Sequence, residues 1–347
     1  MPRKLVARAC GAKTARFVTN GTTGANNIAM QALVTRGDVV LADRNCHRSI
    51  HTALMQADAR ICYLPAYKLN EHSIYGAVPL REVKRTLLQF KRAGEIDRVG
   101  LIALTNRTFD GIVYDPTKVM MECLAIAPHV RFLWDEAWSA FASFHPLYRL
   151  RTAMEATKII EATFADSDYA ARFKAYEAGF GAEAWEDEER VLNTQLLADP
   201  EKARVRVYAN QSMHKTWTAL RPLSLILIRD QDHDEERLTD AYHTHTTTSP
   251  NYPLLISGDI GRRQAALEGY KLDQELLENA ILLRRELNSP LLKKYFPVVN
   301  CVPKEFREST ADLYYEKTTL SKLEKDWRTD EFVQTRRASR WTLARPG

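Results

Sequence analysis

Short runs of β-branched and other apolar residues recur along the chain, each followed by a stretch with helical spacing. This alternation constrains the fold more tightly than any single motif. The runs fall at 39–42, 60–64, 99–104, 130–134, 205–208 and 223–228. Between them lie amphipathic stretches, such as Leu80, Val83, Leu87, Leu88 and Phe90, or Val119, Met120, Leu124 and Ile126. Near-continuous apolar strands alternating with helices are the pattern of a mostly parallel sheet covered on both faces. The expected fold is therefore α/β, with the sheet between helical layers. In such sheets ligands gather at the carboxyl ends of the strands, so the residues just past each run are the first candidates for a site.

Three such positions form a chemical set. Phe17-Val18-Thr19 reads as a short strand, followed by Asn20-Gly21-Thr22-Thr23-Gly24-Ala25-Asn26 and a helical pattern from Ile28. A glycine-bearing, hydroxyl-rich turn that opens a helix offers backbone N–H groups and a favourable dipole to a phosphate. Taken alone, these are also ordinary turn and cap residues. Asp135 closes the apolar run 130–134, and an aspartate at the end of a buried strand is costly unless a cation meets it. Lys215 stands in Gln211-Ser212-Met213-His214-Lys215-Thr216, just after the β-like run 204–208. A lone lysine is usually a solvated surface residue. In this chain order, however, the three features match the needs of pyridoxal phosphate (PLP). They supply an anion site for its phosphate, a carboxylate that keeps its ring nitrogen protonated, and an amine that forms a Schiff base.

The segments 17–26, 38–49 (Asp-Val-Val-Leu-Ala-Asp-Arg-Asn-Cys-His-Arg-Ser), 104–115 (Leu-Thr-Asn-Arg-Thr-Phe-Asp-Gly-Ile-Val-Tyr-Asp), 135–146, 212–215 and 245–252 carry a wider likeness. Through them the chain resembles the large PLP domain of the bacterial-type ornithine/lysine/arginine decarboxylases, a branch of the fold type I (aspartate aminotransferase-like) enzymes. The similarity runs through most of the chain and fades at 155–203 and after about residue 300. The resemblance implies that Lys215 carries PLP, that Asp135 pairs with the ring nitrogen, and that Thr22, Thr23 and Ser212 hold the phosphate. It implies that His47 stacks on the ring, and that His214 orients the Schiff base or returns a proton to the carbanion. Ala137 and Trp138 would lie beside the ring. Thr247, in His245-Thr246-Thr247-Thr248-Ser249-Pro250, would reach the phosphate of a second subunit. Asp110 sits where a turn aspartate is equally expected.

The reaction implied is loss of CO₂ from a basic L-amino acid, whether lysine, ornithine or arginine, in a homodimer or higher homo-oligomer. Two alternatives stay open. One is a PLP aminotransferase, although no arginine singles itself out in the sequence to clamp a substrate α-carboxylate. The other is a catalytically weak fragment that serves as an assembly partner.

Residues 1–255 are expected to form the PLP domain. Within it, 151–203 reads as a helical insertion on the surface, whose tract Trp185-Glu186-Asp187-Glu188-Glu189-Arg190 is a solvated face. Residues 256–347 read as a helical connection and an incomplete small α+β domain, so that relative to the family the chain looks truncated at both ends. The family pattern has a glutamine seven residues after the lysine; here it is Pro222, which lacks both the amide and a backbone donor. A net charge of +5, with 45% hydrophobic and 27% charged residues, is an ordinary globular balance and gives no footprint for nucleic acid. Five cysteines (10, 46, 62, 123 and 301) show no metal-ligand spacing and are expected to be reduced thiols in the cytoplasm, with no metal site. No apolar stretch reaches membrane-spanning length, and the first residues lack the apolar region of a secretory signal.

Overall fold

The computed structural model describes residues 2–70, 73–296 and 298; the small domain expected towards the end of the chain, and Cys301, fall outside the described residues. The chain enters through α1 (Pro2–Ala9) and β1 (Thr14–Val18), then winds α2 (Gly21–Leu33), β2 (Val39–Asp43), α3 (Arg48–Gln56) and β3 (Arg60–Leu64). A small ribbon of β4 (Lys68–Leu69) and β5 (Ile74–Tyr75) precedes α4 (Leu80–Arg92), β6 (Val99–Thr105), α5 (Pro116–Ile126) and β7 (Arg131–Asp135). Next come α6 (Pro146–Arg149), α7 (Ala153–Phe164), α8 (Ser167–Phe180) and α9 (Glu188–Asn193). Then follow β8 (Arg206–Ser212), the one-turn α10 (Met213–Thr216), β9 (Ser224–Asp230), α11 (Glu235–His245) and the long α12 (Tyr252–Leu287).

Seven strands form one sheet in the order β1-β9-β8-β7-β6-β2-β3. From β3 to β8 every neighbouring pair is parallel, as expected, while β9 is antiparallel to both β8 and β1. The reversal has a simple cause. A parallel return needs a crossover of roughly a dozen residues or more, and between β8 and β9 there are only residues 213–223. Two reversals leave β1 running with β8. The carboxyl ends of β1, β2, β6, β7 and β8, and the amino end of β9, therefore share one edge of the sheet.

Both faces are covered, so each strand is apolar on both sides. In β2, Val40 and Ala42 meet Ile28, Ile50, Leu54 and Leu238 of α2, α3 and α11, whereas Leu41 belongs to the opposite core with Val83, Leu87, Val119 and Met154. The expectation of a surface insertion at 151–203 is corrected here. Ala153, Met154, Ala156, Thr157 and Ile160 of α7 are fully buried, and the helix lies against β8, β9 and α5 as part of the second layer. A core helix is constrained mainly by its apolar spacing, so its sequence can drift while its place stays the same.

The charged tract is also more than a solvated face. Glu188 meets Arg85 at 3.0 Å and Arg92 at 3.2 Å, and Glu189 meets Arg81, all three arginines lying on α4. Beneath them the buried Lys84 donates to Glu122 Oε2 at 2.7 Å and to the carbonyls of Leu192 and Thr194 at 3.2 and 2.8 Å. At the other end, α12 runs unbroken past residue 255. It approaches closely at Gly269, where a Cβ would lie 2.8 Å from Phe144 Cβ. Among the described residues no helix is long and apolar enough to cross a membrane.

Lys84 thus ties α4 to α5 through one buried ion pair and to the end of α9 through two carbonyls. Lys84→Met should cost about 3–5 kcal/mol, because it leaves the Glu122 charge buried and unpaired. Urea unfolding will show this as a lower midpoint, and adding Glu122→Leu should recover much of the loss. Hydrogen exchange should localise the loosening to α9 and the segment after it.

Candidate active site

A cavity of about 370 Å³ opens at the shared edge of the sheet. Residues that follow five different strands line it. They include Asn20, Gly21, Thr22 and Thr23 after β1, and Asn45, Cys46 and His47 after β2. Thr105, Arg107 and Phe109 come from the end of β6 and its loop, Asp135, Ala137 and Trp138 from β7, and Ser212, His214 and Lys215 from β8.

Asp135 is buried at the last position of β7, where the sheet register sets Thr105 on one side and Asn210 on the other. Burial raises its pKa, against the opposing effects of Asn26, the Ala137 N–H, His47 and Lys215. Asn26 Nδ2 donates to Asp135 Oδ2 at 3.0 Å, and the Ala137 N–H donates to Oδ1 at 3.1 Å. The same Asn26 amide donates to Ser49 Oγ at 2.8 Å and accepts from Asn210 Nδ2 at 2.8 Å. Ser49 Oγ lies 2.8 Å from His47 Nδ1, which also accepts the Ser49 N–H at 3.2 Å. His47 Nδ1 is therefore an acceptor, and the ring carries its neutral hydrogen on Nε2. One polar chain, Asn210–Asn26–Ser49–His47, fixes the aspartate and the imidazole together.

At the other end of the cavity, Thr22 Oγ1 bonds Ser212 Oγ and lies 3.0 Å from Ser224 Oγ. Ser224 faces both Ser212 and Val18 across the sheet, so three hydroxyls meet beside the first turn of α2. That turn begins at Gly21, whose φ of +70° is left-handed and suits glycine. Its N–H donates to the Pro222 carbonyl at 2.7 Å. Pro222 therefore closes the turn through its backbone oxygen, a contact that needs neither the amide side chain nor the N–H it lacks.

Lys215 is exposed to the cavity, with its ammonium 4.5 Å from the Trp138 ring centroid. Desolvation lowers its pKa, opposed by the charge of Asp135. His214 Nδ1 donates to the Leu223 carbonyl at 2.9 Å, which leaves Nε2 as the acceptor of the neutral ring. Cys46 is no nucleophile here. Burial, with Asp43 and Asp135, pushes its thiol up to about 12.

The structure thus brings Thr22, Thr23, His47, Asp135, Ala137, Trp138, Ser212, His214 and Lys215 to one cavity. Thr247 does not reach it; it lies exposed in the bend after α11, its hydroxyl accepting from the Ser249 N–H at 3.2 Å. Asp110 is exposed in the turn after Phe109 and does not line the cavity. Sequence reasoning missed Asn26, Ser49, Asn210, Ser224 and Arg107. Asn26 was legible in part, since it stands one helical turn beyond Thr22 on the same face. Arg107 became evident only once the β6 loop had been placed.

Behind the cavity lies a second buried carboxyl, Glu136. It accepts from the Ala153 N–H at 2.7 Å, Asn106 Nδ2 at 3.3 Å and Gln211 Nε2 at 2.8 Å. Burial still pushes it up to about 7.

The sequence model of the Orn/Lys/Arg decarboxylase major domain matches residues 2–168 and 183–340. Lysine decarboxylase LdcA of Pseudomonas aeruginosa is 31% identical over 293 residues, covering 81% of this chain and 33% of that protein. The biodegradative arginine decarboxylase of Escherichia coli is 28% identical, covering 82% and 33%. Among solved structures, lysine decarboxylase LdcF of Francisella novicida superposes with a TM-score of 0.61 at 28% identity, covering 82% of this chain and 34% of that one. The chain spans about a third of the length of these relatives.

Glu136 gives the fold a pH signature. Below about pH 4.5 its carboxyl is protonated whether the chain is folded or unfolded. As pH rises to about 7 the unfolded chain ionises while the folded one keeps its proton, so stability falls over that window by on the order of 3 kcal/mol. Unfolding free energies of the cofactor-free protein at both ends of the window should show this fall. Glu136→Gln should lessen it, with the Gln211 amide turned to present its oxygen, while the buried Asp43 and Asp273 carboxyls, pushed up to about 6 and about 7, keep a share of the fall.

Proposed function

The chain belongs to the Orn/Lys/Arg decarboxylase major-domain family, and from this we propose that it is the cofactor-binding part of a PLP-dependent decarboxylase of basic L-amino acids. One observation carries the reading: Lys215, Asp135 and the hydroxyl-lined start of α2 converge on a single cavity. The residues fit the cofactor. A protonated ring nitrogen is the cation that the buried Asp135 demands, and a phosphate suits the helix N-terminus beside Thr22, Ser212 and Ser224. Bound there, PLP supplies a sink for the electrons left when a carboxylate departs as CO₂.

The chain's own residues do the rest. Asp135 keeps the ring nitrogen protonated, and Asn26 aims it. The lowered pKa of Lys215 favours the free amine that attachment needs. His47, held by Ser49, offers a flat ring for stacking. His214 Nε2 accepts a proton when the ring is neutral and returns one only as the imidazolium, so any proton delivery from it requires prior uptake at that atom. Trp138 packs beside the Lys215 amine and covers one side of it.

Asp135 is the only carboxylate among the described residues that line the cavity. The distal ammonium of a basic substrate must therefore find its anion elsewhere, and we place it at the interface of two copies, where Thr247 also belongs. Exposed apolar side chains support such an interface. Leu220, whose N–H donates to Ser257 Oγ, remains exposed near α12, as do Tyr252, Ile256 and Ile260 on that helix. Arg107 in the cavity wall is the observation that favours the aminotransferase as a second reading.

Borohydride reduction after loading with PLP should place the label on Lys215 in peptide maps; a label on another lysine would sink the assignment. Incubation with lysine, ornithine and arginine should yield amine and CO₂, whereas keto acid would support the second reading. Asp135→Asn should lower turnover by roughly 100-fold or more, the kinetic equivalent of losing a few kcal/mol of desolvated ion pairing.

A further inference from the structure

A second cavity, of about 400 Å³, lies at the opposite edge of the sheet from the candidate active site. Its inner wall is the end of α5, with Leu124 and Ile126, and then Pro128, which leads into the amino end of β7. Its outer wall is α8. Tyr169, Phe173, Tyr176 and Phe180 stand three and four residues apart and so share one face of that helix. A stripe at this spacing is ordinarily sunk in a core, and its two ends are: Tyr169 and Phe180 are buried. Phe173 and Tyr176, between them, are only partly covered and line the cavity with Phe180. Residues 169–182, which supply this wall, fall between the two stretches that match the decarboxylase major domain. The cavity is therefore walled by sequence outside the family pattern.

Gly181 ends α8 with a φ of +71°, a positive value that suits glycine, and a short 3₁₀ turn at Ala182–Trp185 folds the chain back. Trp185 then meets Phe180 edge to face at 5.3 Å between centroids, and Phe180 stacks on Tyr176 at 5.3 Å. Lys91, in the last turn of α4, sets its ammonium 3.9 Å from the Trp185 ring centroid. Arg190 lies over the Phe180 ring at 5.3 Å. Two of the rings thus already carry cations, which disfavours a cationic guest.

The acids of the lining are turned to another lysine. Asp199 lies 3.1 Å from the Lys202 ammonium and accepts the Glu201 N–H at 2.9 Å, and the exposed Glu177 also acts on Lys202. Lys91 is in a different position. Burial of its charged end lowers its pKa, with no carboxylate among the described residues opposing the shift, so an anion arriving there would favour the charged form.

We propose that this cavity binds a small aromatic monocarboxylate, its ring seated among Phe173, Tyr176 and Phe180 and its carboxylate on the Lys91 ammonium. The site is separate from the cofactor cavity and does not depend on the function proposed for it. A flat ring suits a lining of stacked and tilted rings, because aromatic pairs gain from offset and edge contacts and a rigid body has little freedom to lose. The ammonium adds one charge-assisted hydrogen bond.

The test is calorimetric titration with 3-phenylpropionate, with 3-phenylpropanol and 3-phenylpropylamine as probes that keep the ring and carry a neutral or a cationic head. The carboxylate should bind with a Kd on the order of 1 mM or tighter, the range of a ligand of this size. It should bind at least about tenfold more tightly than either analogue, the scale of one charge-assisted pair. Lys91→Met, at an exposed position, should remove that preference and leave the affinity for the alcohol unchanged. Ala125→Phe, which fills the cavity from α5, should abolish binding of all three, and PLP should not compete with any of them. Lys91→Met decides the question alone if the larger residue disturbs folding. Absence of saturable binding, a preference that survives Lys91→Met, tighter binding of hexanoate than of 3-phenylpropionate, or displacement by PLP would each overturn the proposal.

Discussion

The rest of the cavity is arranged around a carboxylate sealed at the end of a central strand. Asp135 sits at the carboxyl edge of β7 with parallel strands on both sides, and burial alone would drive it to the neutral form. The surroundings counter this with two donors to its oxygens, one from Asn26 and one from its own loop at Ala137. Asn26 can serve only because every one of its polar atoms is engaged, by Asn210, Ser49 and Asp135. A half-satisfied amide in that place would add a second desolvation cost to the first. The floor of the cavity is therefore one connected polar network, in which Asp135 is the charged member.

The sheet makes this network possible through register rather than through local sequence. Thr105, Asp135 and Asn210 line up across β6, β7 and β8, while Val18, Ser224 and Ser212 line up across β1, β9 and β8. The first row carries the aspartate and its amide relay. The second brings Ser212 and Ser224 to Thr22 at the start of α2. The two rows are parts of one edge, so the distance between the buried Asp135 carboxylate and the hydroxyl cluster at Thr22 is set by strand spacing. Loops could not hold such a separation as closely.

Much of this was legible in the sequence, and what was not has physical causes. The strand runs, Asp135, Lys215 and the turn at Asn20 are local features, written in apolar spacing and in the residue that ends each run. Ser224 and Asn210 are different. Each is a polar residue inside an apolar strand, and its meaning appears only when the neighbouring strand is in register. The reversal of β9 follows from a short connection that was visible, yet periodicity alone does not report strand direction. Helix α7 lies in the core although the family resemblance fades there, because Ala153, Ala156 and Ile160 form one apolar face, a local spacing that a fading resemblance does not report.

The division between floor and rim separates residues bound into the sheet from residues that can vary without disturbing it. Floor residues are tied to strand ends and to one another, so altering one leaves several buried groups unsatisfied. Rim residues such as Arg107, Phe109 and Trp138 follow the strands on loops, where a substitution changes what faces the cavity without breaking the register beneath. Arg107 shows how far that freedom extends. Its guanidinium rests on aromatic rings of the segment 141–148 and feels a carboxyl on α12, so its position depends on elements outside the sheet. A cation held in this way can be moved by whatever shifts α12, whereas Asp135 can move only if the sheet does.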